Sequence, residues 1–243
     1  MKDNFSTGSD AYLRFRPDYP DEMIEYIVSF SKKGKALDVA TGNGQFAAKL
    51  AKHFEVVYAT DISNHQLEHA IQKENIAYKQ EAAEAMSFGN NEFDLVTVAQ
   101  ALHWFDFTSF YSEVKRVLKN GGVFAAVGYG LLVSNEKTDA VILKYYDDIL
   151  GPYWDPERRY LDENYESIPF PFVELPSKKF NLQMTWSYEQ LEGYLKTWSA
   201  AKHYEKRNKT LAFELIKDEL LLTWEHSNKK VTFPLLLRLG KYI

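Results

Sequence analysis

Through the first half of the chain, five short apolar runs, at 36–40, 56–60, 76–80, 93–99 and 123–127, alternate with stretches whose apolar residues recur at helical spacing. Such alternation predicts parallel strands joined by helical crossovers, and hence a doubly wound α/β sheet with helices on both faces. The helices carry punctuation. Asp21-Glu22, after Pro17 and Pro20, suit the positive end of a helix running to about residue 30. Ser63 with Gln66 has capping-box spacing and predicts a helix to about residue 72. Phe107, Phe110, Val114, Val117 and Leu118 mark one helical face, which Asn120-Gly121-Gly122 ends before the fifth strand.

Beyond Tyr129 the pattern changes. A helical stretch at 139–150 gives way to the irregular, aromatic Gly151-Pro152-Tyr153-Trp154-Asp155-Pro156, which reads as a cap inserted between strands. Runs at 179–184 and 231–239 add two strands around helices at 188–201 and 211–222. The expectation is a seven-stranded, mostly parallel, Rossmann-like α/β sheet in a single domain over 1–243. An N-terminal arm (1–20) and cap elements at about 131–170 and 187–205 complete it.

Chemistry concentrates at the first two strand ends. Leu37-Asp38-Val39-Ala40-Thr41-Gly42-Asn43-Gly44 runs a strand into a small-residue turn, where Gly42 and Gly44 let the backbone turn sharply and approach a ligand. Asp61 ends the second strand, where an acid accepts hydrogen bonds from two ribose hydroxyls. The spacing Gly42-x-Gly44-x-x-Ala47 also fits a dinucleotide, so an NAD-dependent oxidoreductase is one reading. Asp38 argues against it. A carboxylate beside the turn repels a pyrophosphate but favours the sulfonium and ammonium of S-adenosylmethionine. A structural role for Asp38, bonded to N–H groups of the turn, is compatible with that charge role.

Composition narrows the rest. The chain has 243 residues, 45% hydrophobic and 26% charged, which suits a soluble globular protein with one sizeable core. The absence of cysteine excludes disulfides, thiolate nucleophiles and thiolate metal sites, and no metal is expected. The first ten residues are polar and no apolar run is long enough to span a bilayer, so a cytoplasmic protein without membrane contact is expected. A net charge of −5, with Lys and Arg scattered, disfavours a nucleic-acid partner. The aromatic content of 15% suits an aromatic-walled pocket for a small molecule, in a monomer or homodimer.

Three segments resemble a known family. The stretch 37–47 is similar to motif I of the class I S-adenosylmethionine-dependent methyltransferases. Asp61-Ile62-Ser63 resembles their ribose-binding motif, and Arg116-Val117-Leu118-Lys119-Asn120-Gly121-Gly122 their signature before strand five. Glycine is usual in that family where Ala40 stands, a departure of one methyl group. More narrowly, Tyr12 with Phe15-Arg16-Pro17-Asp18-Tyr19-Pro20, Gln100-Ala101-Leu102-His103-Trp104-Phe105 and Tyr194-Leu195-Lys196-Thr197-Trp198-Ser199-Ala200 resemble the trans-aconitate methyltransferase-like group of small-molecule enzymes.

The resemblance implies methyl transfer from S-adenosyl-L-methionine, leaving S-adenosyl-L-homocysteine, to a small molecule such as a carboxylic acid. A non-catalytic S-adenosylmethionine-binding regulatory module is the alternative from another class. It also implies that Gly42 and Gly44 line the methionine side, Asp61 binds the ribose, Ile62 packs on adenine, and Ala83 and Glu84 reach the adenine amino group. Gln100 and Ala101 would lie beneath the sulfonium, and Tyr12 and Arg16 would close over the cofactor, with Arg14 competing for the carboxylate. His103 is the candidate catalytic base, and Trp104, Trp154, Arg158 or its neighbour Arg159, and Trp198 are candidates for the acceptor pocket.

Overall fold

The computed structural model describes residues 15–243. Five parallel strands, β1 (Lys35–Val39), β2 (Val56–Asp61), β3 (Ile76–Gln80), β4 (Phe93–Ala99) and β5 (Leu118–Tyr129), take the spatial order β3-β2-β1-β4-β5. The sheet continues through the antiparallel β8 (Lys230–Lys241), which pairs β5 along one edge and both β6 (Val173–Glu174) and β7 (Phe180–Thr185) along the other. The seven expected strands are all present. The eighth, β6, has two residues and no pattern by which its sequence could announce it. Strand order reverses between β1 and β4, so a crevice opens beyond their carboxyl ends.

The strands read as unbroken apolar runs because both faces of the sheet are covered. Successive strand residues point to opposite faces. Ala36, Leu95, Val123, Ala125 and Val127 join one core, whereas Leu37, Val39, Val96, Val98, Phe124 and Ala126 join the other. On the first face α1 (Asp21–Val28) buries Met23, Ile24, Ile27 and Val28, beside α2 (Gln45–Leu50). On the second, α4 (Phe107–Val117) buries Phe110, Tyr111, Val114 and Val117, and Asp106 caps it by accepting from the Ser109 N–H at 2.8 Å.

Several boundaries differ from the sequence reading. Ser63 caps α3 (Asn64–Glu68) as expected, but the helix stops well short of residue 72, because the Ile71 N–H is drawn to the Asn43 carbonyl at 2.9 Å. The strand β5 begins at Leu118, directly after α4. Asn120-Gly121-Gly122 therefore lie inside it, and a register shift opposite Phe93 and Leu95 absorbs the irregularity. Between β5 and β6 the chain forms α5 (Glu136–Leu143), a π-helical continuation (Lys144–Ile149), short 3-10 turns and α6 (Arg159–Asp162). Between β7 and β8 lie α7 (Tyr188–Lys196), α8 (Ser199–Asn208) and α9 (Lys217–Glu225). Among the described residues, no helix is long and apolar enough to cross a membrane.

Candidate active site

The turn after β1 is set by backbone conformation. Gly42 and Gly44 have φ of 58° and 79°, in the left-handed region that suits glycine. At Gly44 space agrees with conformation, since a Cβ there would lie 2.1 Å from the Tyr78 hydroxyl oxygen. Asp61, at the end of β2, accepts the Gly42 N–H and the Ser63 N–H, each at 2.8 Å, and so ties the two strand ends together. Two non-glycine residues share the left-handed region beside the crevice. Ala40 (φ 53°) follows β1 and Gln100 (φ 57°) follows β4, at a cost of about 1 kcal/mol each. Gln100 has a local compensation, because its Oε1 accepts the Tyr129 N–H at 2.9 Å.

These strand ends surround a cleft that opens to solvent. Ala40, Gly42, Asp61, Ile62, Gln100 and Ala101 line it, as do Arg16 and Trp104. Among the described lining residues the charged side chains are one cation, Arg16, and one anion, Asp61. Arg16 donates to the Tyr129 hydroxyl at 3.1 Å and to the Thr197 carbonyl at 3.2 Å, and lies 5.2 Å over the Tyr194 ring.

Other sequence candidates stand differently. Asp38 is wholly buried below the cleft, where its carboxylate accepts the Thr41 hydroxyl at 2.6 Å and the Thr97 hydroxyl at 2.7 Å. Burial pushes its pKa up to about 6, against the pull of those hydroxyls. The expected direct charge contact gives way to a positioning role, because no carboxylate surface reaches the cleft. Gly44 supports the turn from behind without lining the cleft. Ala83 is buried in the core, and Glu84 is turned to the Asp106 N–H at 3.2 Å, so neither is brought to the cleft. Tyr12 and Arg14 lie outside the described residues.

A second chamber, also open to solvent, shares Arg16, Gln100 and Trp104 with the cleft. It brings together His103, Trp104, Trp154, Arg158 and Trp198, but not Arg159. Trp154 and Trp198 come from the two stretches read as cap elements and pack with ring centroids 5.6 Å apart. Arg158 lies 5.0 Å over the Trp154 ring, and its Nε donates to the Tyr146 hydroxyl at 2.7 Å. His103 is buried with Nδ1 3.3 Å from the Tyr165 hydroxyl. Burial, aided by the Arg158 charge, pushes its pKa down to about 3, so the ring is neutral at neutral pH and a weak proton acceptor.

Sequence reasoning missed Tyr129, Tyr146, Tyr165 and Asp155. Tyr165 has a left-handed backbone (φ 63°) and reaches His103 with its hydroxyl, and a Cβ on Gly128 would come within 3.2 Å of its side chain. No local pattern marks such a residue. Asp155 stands at an N-cap position, whose ordinary meaning is a turn.

A doubly wound sheet with a reversed last strand, a left-handed turn after β1 and a carboxylate after β2 defines a nucleoside-cofactor enzyme of the α/β class. Comparison with known proteins narrows the class. The family described as a methyltransferase domain matches residues 37–126. A protein of Dictyostelium discoideum named as a methyltransferase is 34% identical over 249 residues, covering 98% of this chain and 95% of that one. A structure from Anaeromyxobacter dehalogenans, described as a Type II methyltransferase, is similar at TM-score 0.85 and 34% identity, covering 93% of this chain and 98% of that one. At 18% identity and TM-score 0.52, the fold is shared with a phosphoethanolamine N-methyltransferase of Haemonchus contortus solved with S-adenosyl-L-methionine, covering 98% of this chain and 57% of that one. The chain belongs to the class I S-adenosylmethionine-dependent methyltransferases, and S-adenosylmethionine is its cofactor.

Proposed function

We propose that the enzyme methylates a small organic acid, with the cofactor in the cleft and the acceptor in the tryptophan-walled chamber. The observation that carries this reading is the junction of the two spaces at Arg16, Gln100 and Trp104. S-adenosylmethionine supplies an electrophilic methyl group on a sulfonium. The chain's own residues supply alignment and exclusion of water.

The cleft's donor set suits that cofactor. Asp61 lines the cleft with a carboxylate held by two backbone N–H groups, and a carboxylate suits the hydroxyls of a ribose. Arg16 suits a carboxylate at the opposite charge of the cofactor's methionine end. In the chamber, Trp104, Trp154 and Trp198 supply apolar walls, and Arg158 supplies a cation for an anionic acceptor. A carboxylate needs no base before it attacks. That agrees with His103, the histidine of the chamber, whose depressed pKa leaves it unable to take a proton efficiently at pH 7. The resemblance to the trans-aconitate methyltransferase-like group supports the same acceptor class.

Calorimetric titration with S-adenosylhomocysteine and with NAD tests the cleft, and only the former is expected to bind. Radiolabelled methyl transfer to a panel of carboxylic acids, amines and phenols tests the chamber. Base-labile methyl esters are the expected products. Transfer to amines or phenols alone would overturn the organic-acid reading while leaving the cofactor untouched.

A further inference from the structure

Asp155 is the one acid lining the acceptor chamber, among the described residues, and its setting is unusual for its position in the chain. It occupies the N-cap of the 3-10 turn Pro156–Arg158, where an aspartate ordinarily accepts an N–H of the turn, yet its side chain makes no capping bond. Its Oδ2 is instead buried and has no hydrogen-bond partner. The nearest opposing group is His203 Nδ1 at 3.8 Å, beyond hydrogen-bond distance, and that nitrogen already engages the Tyr153 carbonyl at 3.0 Å. Buried polar atoms in native proteins are ordinarily paired, because leaving a carboxylate oxygen dry and unpaired is costly. An acceptor-filled chamber removes that cost if the acceptor brings the missing donor.

Resting on the organic-acid reading, we propose that Asp155 is a specificity determinant that selects acids carrying a protic group, an ammonium or a hydroxyl, close to the carboxylate. Arg158, in the same chamber and part of the same short turn, takes the anionic group while Asp155 takes the donor. The pair then reads an acceptor of mixed polarity, and a plain dicarboxylate leaves Asp155 unsatisfied. An ammonium gains most, because both charges are compensated; a hydroxyl gains less, and a methylene nothing. Charged hydrogen bonds of this kind discriminate roughly ten- to a hundredfold.

The test compares kcat/KM for succinate, malate and aspartate, and for the five-carbon set glutarate, 2-hydroxyglutarate and glutamate. Parent, Asp155→Asn and Asp155→Ala enzymes are used, with product esters identified by base lability. In the parent, the amino acid is expected to exceed the plain diacid at least tenfold, with the hydroxy acid between. Asp155→Asn is expected to collapse the ammonium preference and keep part of the hydroxyl preference, and Asp155→Ala to remove both. S-adenosylhomocysteine affinity and thermal midpoint report whether each variant is folded, and ratios between acceptors are insensitive to a uniform loss of folded enzyme. Equal use of all three members of a set by the parent, or an equal loss on all three in both variants, overturns the role of Asp155 while the organic-acid reading stands. Transfer to none of the six acids overturns that reading and the inference with it.

Discussion

The cleft proposed for the cofactor and the chamber proposed for the acceptor adjoin, yet they are built by different means. The cleft is organised by strand ends: Gly42 in the left-handed region, an aspartate bonded to main-chain N–H groups, and the turns at 40–42, 61–63 and 99–101, with Arg16 and Trp104 beside them. The chamber is mostly side chain: three tryptophans and two arginines carried by segments far apart in sequence. A site organised by strand-end turns is specified largely by short motifs at those turns, and it stays the same for one cofactor. A site made of side chains is specified by tertiary packing and is free to change with the acceptor.

The largest expected effect tests whether the two regions separate. Asp61→Ala removes the acceptor for the Gly42 and Ser63 N–H groups as well as the proposed ribose partner, so S-adenosylhomocysteine affinity is expected to fall at least a hundredfold, about 3 kcal/mol, by calorimetry. Trp154→Ala strips a chamber wall and the ring beneath Arg158. It is expected to raise the acceptor KM roughly tenfold, about 1.4 kcal/mol, and to leave the affinity for S-adenosylhomocysteine within about threefold. Loss of cofactor affinity in both variants would make cleft and chamber a single site.

How much of each region was legible follows from the same contrast. Gly42 and Asp61 were readable as cleft residues, and Gly44 as a turn residue that does not itself line the cleft, because each has a local reason to be that residue type. Asp38 was readable as an acid, but not its orientation. One of its partners, Thr97, sits on β4, 59 positions away, and is brought alongside by strand register. Ala83 and Glu84 follow β3 as expected, but a bridge between Ala82 and Ala85 curls the chain there and turns Glu84 to the start of α4. In the chamber, Trp104, Trp154, Arg158 and Trp198 could be named singly. Their meeting could not be read, because it depends on two long excursions folding back over one strand end. The eight-stranded count, the π-helical continuation of α5 and the left-handed Tyr165 have no local signature at all.

The buried acid and the buried base sharpen the contrast through pH. His103 has a folded pKa of about 3, below its ordinary 6.5, so the unfolded chain binds the extra proton and stability falls as pH drops through that window. Asp38 has a folded pKa of about 6, above its ordinary 3.8, so the folded chain binds the proton and stability rises as pH drops from about 6 towards 4. Between pH 7 and pH 5 the first contributes a loss of about 2 kcal/mol and the second a gain of about 1 kcal/mol. Urea unfolding at the two pH values is therefore expected to show opposite changes. His103→Asn is expected to turn the parent's small net loss on acidification into a gain, and Asp38→Asn to enlarge the loss. Changes of the same sign in both variants would refute the assigned charge states.

The smallest effect concerns the two strained residues at the cleft. Ala40 and Gln100 both hold left-handed backbone, but they differ in what their side chains give in return. Gln100 bonds the Tyr129 N–H, tying β4 to β5, whereas Ala40 offers one methyl group. Replacing Ala40 by glycine removes a strain of about 1 kcal/mol and adds a similar unfolded-state entropy, so the two nearly cancel. A thermal midpoint within about 2 °C of the parent is expected, with S-adenosylhomocysteine affinity within about threefold. Gln100→Gly relieves the same strain but also deletes a hydrogen bond, and is expected to lower stability by about 1 kcal/mol. A tenfold affinity change in Ala40→Gly would mean that the methyl group itself contacts the cofactor. The cleft would then depend on its side chains as the chamber does, and the division between the two regions would fail at the residue where the family usually has none.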